Sequence, residues 1–281
     1  MLLHVRALGQ TFQARTDESF DIAIAQRFDA EQPNAFGLPD ADATFVRGDD
    51  FVLSVHDGAP INCSTLTLTP HANGTHTESI AHITTDGPSV LDVLDQSLLL
   101  ARLVTTDFVR REDVPDESYL GTSQPHDRVI AAQSLDRLLP GVDSGTPTDE
   151  RPRAIVVRTL PNTTQKPTRR WATTNPPYFT EDAIRLLLRR GYQHLLVDLP
   201  SIDREQDDGA MAAHRTWWEL PPVGTSAGEN ASRRTITEFC YVPDTIPDGL
   251  YLLELQIAPL ALDAVPSRPR LIPLRRIARP H

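Results

Sequence analysis

His71-Ala72-Asn73-Gly74-Thr75-His76-Thr77-Glu78-Ser79-Ile80-Ala81-His82 gathers three of the chain's nine histidines and a carboxylate around an Asn-Gly bend. Imidazole with carboxylate is a donor set that suits a borderline divalent ion. In an extended chain His76, Glu78 and His82 share a face and His71 points the other way. Asn73-Gly74 supplies the bend that brings His71 round. A helix would align His71, Thr75, Glu78 and His82 instead, but Gly74 and two β-branched threonines oppose it. The segment reads as bent and loop-like. Spacing alone leaves two readings open, a solvated polar loop and a metal site, because it is less specific than a His-Glu-x-x-His helix.

Strand-like runs dominate the first half of the chain: Leu2 to Val5, Phe51 to Val55, Cys63 to Thr69 and Leu98 to Val109. Residues 32–42, 140–153 and 163–177 are rich in Pro, Gly, Thr or charge and read as connections. The clearest helix runs from Thr180 to Arg190. Thr180 caps it, Glu181 and Asp182 fill the first turn, Arg189 and Arg190 the last, and Gly191 stops it. A short apolar run, His194 to Val197, follows and ends in Asp198-Leu-Pro-Ser-Ile-Asp203. Helix, Gly stop, strand and polar strand end make an α/β unit with a site at its rim. Further strands are expected over 235–242, 250–259 and 271–277. The expected fold is therefore α/β, a single mixed domain over residues 1–281 with a β-rich first half.

The 281 residues carry a net charge of -11, and 40% of them are hydrophobic. That apolar share is ordinary for a core-forming protein, and the acidity argues against a phosphate-backbone binder. The arginines at 268, 270, 275, 276 and 279 alternate with Pro and aliphatics, which reads as a strand plus a tail. The two cysteines, Cys63 and Cys240, lie far apart and read as buried free thiols. The N-terminus lacks the apolar core of a signal peptide, and no apolar window is long enough for a membrane span. The expectation is a cytoplasmic protein with no nucleic-acid or membrane partner and a small-molecule substrate.

Gly74-Thr-His76-Thr-Glu78-Ser-Ile-Ala-His82 resembles the Gly-Thr-His-x-Asp-x-Pro-x-His signature of the cyclase family of metal-dependent hydrolases, which includes bacterial kynurenine formamidases and isatin hydrolases. The likeness continues through the helix and the Asp-x-x-Ser-x-Asp stretch of 180–203, Ala213-His214-Arg215, Glu238, Ile246-Pro-Asp-Gly-Leu-Tyr251, and Pro266-Ser-Arg268. The resemblance implies a swivelling β/β/α fold. It implies His71, His76, Glu78, His214 and Glu238 as ligands of a divalent metal, zinc first and manganese as the alternative. It makes His82 the proton shuttle and Phe36, in the early Pro-Asn-Ala-Phe loop, a substrate-pocket residue.

Three departures stand out: His71 lies five residues before His76 where the family has four, Glu78 replaces Asp, and Ile80 replaces Pro. The chemistry implied is cleavage of an amide-like C–N bond, in an N-formyl arylamine or a cyclic amide. Lactone or ester hydrolysis on the same site, or metal binding without turnover, are the alternatives. The family also implies a homo-oligomer, a dimer or tetramer. Ser201 between Asp198 and Asp203 lacks a nucleophile elbow. Trp217 and Trp218 read equally as pocket lining or core, His126 reads as solvated before a surface helix, and His4, His56, His194 and His281 carry no signal.

Overall fold

Seven strands of the computed structural model, which describes residues 1–141, 145–227 and 232–277, close into a ring. In chain order they are β1 (His76–Glu78), β2 (Leu98–Thr106), β3 (Ala154–Thr159), β4 (His194–Val197), β5 (Thr235–Glu238), β6 (Gly249–Ile257) and β7 (Ala264–Pro273). Around the ring the order is β6-β2-β3-β4-β5-β1-β7, and β7 returns to β6. The pairs from β2 through β5 are parallel, whereas β1, β6 and β7 join their neighbours antiparallel. Parallel neighbours require crossovers. The one between β3 and β4 carries the helix Glu181–Arg189, and the one between β4 and β5 carries the helix Ala212–Trp217.

The period-2 alternation of each strand divides the core in two. Ala154, Val156 and Leu196 point into the ring with Ala101, Leu103, Leu253 and Leu271. Ile155, Val157, Leu195, Val197 and Ile236 point outward and meet Ile184, Leu187 and Trp217 from the covering helices. Because β3 is buried on both faces, all six of its residues are buried. The fold is mixed α/β and dominated by its sheet.

The helix expected over 180–190 forms as Glu181–Arg189, with Thr180 Oγ1 accepting from the Ala183 N–H and Gly191 at φ 86 ending it. Four expectations are corrected. Phe51 to Val55 is no strand: Val52 makes an isolated bridge to Arg47, and Ser54 caps a 3-10 turn, Val55–Asp57, that Gly58 ends, so the turn chemistry of Asp57-Gly58 wins over a short apolar run. The strand expected over 271–277 starts seven residues earlier as β7 and breaks at Leu274, since Pro266 and Pro269 are tolerated in it. Cys63 is exposed, because it borders a two-stranded ribbon, Asp42–Phe45 with Ser64–Thr67, whose second strand is exposed throughout; Cys240 is buried as expected. His126 precedes a short strand, Arg128–Ile130, and is exposed beside Glu112, 3.3 Å away.

The connection 140–153 is tied down where Glu150 accepts from the Gly9 N–H. Its residues 142–144, together with Arg279 and His281, lie outside the described residues. No helix among the described residues is long and apolar enough to cross a membrane.

Candidate metal centre

The segment 71–82 bends three ways: a helical turn Pro70–Asn73, strand β1, and a 3-10 turn Ile80–His82 that Ser79 caps. Gly74 makes the first bend at φ 148, and a Cβ there would run into the Gln26 side chain. Asn73 is buried and fixes the turn, accepting from the Thr69 N–H and donating to the Pro39 carbonyl. The bend brings His71 round as the sequence suggests: its Nδ1 lies 3.2 Å from Glu78 Oε2, and its ring stacks on His82 at 4.0 Å between centroids.

Strand β1 sits between β5 and β7, with His76 opposite Glu238 and Glu78 opposite Ile236. Alternation turns Thr77 away from these side chains, toward the Thr237 hydroxyl 2.8 Å away. His76, Glu78 and Glu238 thereby share a face. His76 Nε2 is 3.5 Å from Glu238 Oε2. Across from them, the helix Ala212–Trp217 delivers His214, whose Nε2 is 2.9 Å from Glu78 Oε1 and 3.8 Å from Glu238 Oε1. His82 Nε2 completes the group at 3.9 Å from Glu78 Oε2. The five candidate ligands and His82 meet at one place. Phe36 is 40% exposed, and its neighbour Ala35 donates to the Ala72 carbonyl beside His71.

The imidazole roles follow from what holds each outer nitrogen. His76 Nδ1 faces the Gly74 carbonyl at 2.9 Å, His214 Nδ1 faces Asp203 Oδ2 at 2.6 Å, and His71 Nε2 faces Asp263 Oδ2 at 3.0 Å. Each acceptor holds the outer nitrogen of its ring, so that His76 Nε2, His214 Nε2 and His71 Nδ1 are the nitrogens turned inward and left for a metal. This is how metal-ligating histidines are oriented. His76 Nε2 and Glu78 Oε2 are buried without an aligned hydrogen bond, their nearest partners being Glu238 Oε2 at 3.5 Å and His71 Nδ1 at 3.2 Å. A buried orphan costs roughly 1–3 kcal/mol, and a cation between these two atoms would satisfy both. Potential ligand atoms of His71, His76 and Glu78 lie within 4.8 Å of one another, as do those of Glu78, His82 and His214. The donor set fits a divalent ion.

Electrostatics agree with this arrangement. Burial alone would raise the Glu78 carboxyl, yet the His82, His214 and His71 rings hold it well below its ordinary range. Burial likewise disfavours charge on His71 and His214, but carboxylates outweigh it: Asp263 and Glu78 lift His71 to about 9, and Glu78 and Asp203 lift His214 well above its ordinary value.

Two further residues belong to the site. Asp203 Oδ1 and Oδ2 accept from the Ala213 and His214 backbone N–H groups, so one carboxylate starts the helix and orients its histidine. The Asp198–Asp203 stretch signalled it. Asp263 interrupts the run Leu260-Ala-Leu-Asp-Ala-Val265, and that isolated carboxylate was its only signal. The remaining candidates are structural. Ser201 Oγ accepts locally from the Asp203 N–H, Asp198 pairs with buried Lys166, and Trp217 and Trp218 are both buried. His194 is buried against Thr235, and burial, with Arg153, pushes it down to about 4.

A family model described as putative cyclase matches residues 20–204, and the chain belongs to that family. Solved structures share its fold. One described as a potential metal-dependent hydrolase with cyclase activity superposes with TM-score 0.56 at 15% identity, over 91% of this chain and 98% of that one. A predicted metal-dependent hydrolase from Bacillus stearothermophilus gives TM-score 0.55 at 17% identity, over 90% and 97%. An isatin hydrolase bound to the product analogue thioisatinate gives 0.58 at 15%, over 92% and 94%.

Proposed function

We propose that the chain is a metal-dependent hydrolase that cleaves an amide-like C–N bond, in an N-formyl arylamine or a cyclic amide. The observation that carries this reading is the pair of orphaned buried atoms, His76 Nε2 and Glu78 Oε2, inside a shell of imidazoles whose outer nitrogens are already held. His71, His76, Glu78, His214 and Glu238 would hold the ion, and their imidazole and carboxylate donors suit zinc, with manganese as the alternative. Such an ion supplies Lewis acidity toward a carbonyl oxygen and activates water near neutral pH.

The chain's own residues supply the rest. His82 has a side chain 25% exposed at the edge of the cluster, where it can meet both substrate and solvent. It accepts a proton as water attacks the carbonyl and returns it to the leaving nitrogen, a role suited to an imidazole whose unperturbed pKa is about 6.5. Glu238 Oε1 accepts from the Ile202 N–H at 2.9 Å, which holds it in place as a ligand. Phe36, on the loop tied to Ala72, offers an aromatic face to a flat substrate. The likeness to an isatin hydrolase, named for a cyclic amide, supports nitrogen over oxygen leaving groups.

Elemental analysis of the purified protein, joined to a hydrolysis screen over N-formyl arylamines, lactams and lactones, tests the reading. Near one equivalent of a divalent metal and turnover of an amide substrate are expected. A metal-free, inactive protein overturns the proposal, and turnover confined to lactones replaces its substrate class.

A further inference from the structure

Asp263 reaches the rings from outside the motif. It lies in the bend just before β7, and two backbone bonds anchor that bend: the Ser79 N–H donates to the Asp263 carbonyl at 2.9 Å, and the Val90 N–H to the Leu262 carbonyl at 3.0 Å. The first ties Asp263 to the residue that caps the turn bearing His82. The Asp263 side chain then meets the common edge of two stacked imidazoles. Its Oδ2 is 3.0 Å from His71 Nε2 and 3.5 Å from His82 Nδ1.

We propose that Asp263 is a positioning residue shared by His71 and His82, a single carboxylate that sets the proton-bearing nitrogen of both a metal ligand and the proton carrier. The inference rests on the hydrolase reading for its catalytic meaning, but its geometry stands apart from it. With Nε2 held toward Asp263, His71 keeps Nδ1 on the side where Glu78 lies, the nitrogen that a metal would take once its proton is released. With its proton on Nδ1 toward the same oxygen, His82 presents a free Nε2 to the interior. A carboxylate oxygen has lone pairs for two donors. The longer contact to His82 is the kind that tightens when substrate binds. Asp263, although within 4.8 Å of ligand atoms of both rings, touches the outward nitrogen of His71 and has a side chain 43% exposed at the rim, the place of a supporting residue.

The residue also answers the unusual spacing. His71 stands five residues from His76, on its own helical turn, so strand β1 alone does not fix its ring. Stacking on His82 and the bond to Asp263 do.

The variants Asp263→Ala and Asp263→Asn test this, compared with the parent chain by three readouts. Long-range ¹⁵N–¹H spectra of the metal-free protein report which ring nitrogen carries the proton. Neutral His82 is expected as the Nδ1–H tautomer in the parent and is expected to lose that preference in Asp263→Ala. Zinc competition against a chelator is expected to show a 10- to 100-fold weaker affinity for Asp263→Ala, with Asp263→Asn, which keeps an acceptor oxygen, in between. At saturating zinc, kcat is expected to fall with KM unchanged. An Nε2–H tautomer of His82 in the parent, or an Asp263→Ala chain with unchanged tautomer and unchanged zinc affinity, overturns the inference. A parent chain that takes up no zinc defeats the hydrolase reading instead, and the tautomer spectrum still decides the role of Asp263.

Discussion

At the scale of residues, the proposed function separates holding from proton transfer, and substitutions should separate them too. His82→Ala is expected to lower turnover about 10²- to 10⁴-fold, the usual worth of a general acid or base, while the metal content stays unchanged; normal turnover would remove the shuttle role. His76→Ala is expected to lose the metal on gel filtration, because its Nε2 is one of the two buried orphan atoms. The pH dependence follows from the raised imidazoles. In the metal-free protein His71 titrates at about 9 against an ordinary 6.5, so its stabilising charge is complete below about 6.5 and is lost as pH rises through 9. His214 acts in the same direction. Glu78 acts oppositely: it stabilises above its ordinary 4.5, and that contribution is lost as pH falls through its depressed value. Urea midpoints of the metal-free protein are therefore expected to decline between pH 6.5 and 9; a flat profile there would contradict the assignment. Metal binding near pH 7 must also expel protons from these rings, which calorimetry in buffers of different ionisation enthalpy measures.

Among elements, what the sequence revealed and what it hid have physical reasons. The helix 181–189 was legible because its cap, its charged termini and its Gly stop are local signals. His71 to His82 was legible as a bent cluster because Gly74 and the alternation of β1 are local as well. Lys166 was not. It sits in a Thr- and Pro-rich stretch that reads as surface connection, yet its ammonium is buried and lies 2.6 Å from Asp198 Oδ2, at the carboxyl end of β4. That partner is remote in sequence, and no periodicity announces it. The pair braces the start of the 198–203 loop, which positions Glu238 and Asp203. Lys166→Met is expected to cost about 3–5 kcal/mol, because it strands a buried carboxylate. Equilibrium urea unfolding measures this, and a loss under about 1 kcal/mol would show that Asp198 takes a proton instead. Asp263 was hidden for the same reason: its partners lie nearly two hundred positions earlier.

For the molecule as a whole, the ring decides when the site exists. β1 is three residues long and cannot stand alone; it is held between β5 and β7, and β7 is also the strand that returns to β6. His71, His76, Glu78, His82, His214 and Glu238 all precede that last strand in the chain. A chain ended after Ile257 keeps every one of them but lacks both β7 and Asp263. Such a truncated chain is expected to show no measurable zinc uptake in chelator competition, and uptake at full-length affinity would mean that closure is not required. If the expectation holds, a growing polypeptide cannot trap an ion on half-built ligands as it leaves the ribosome.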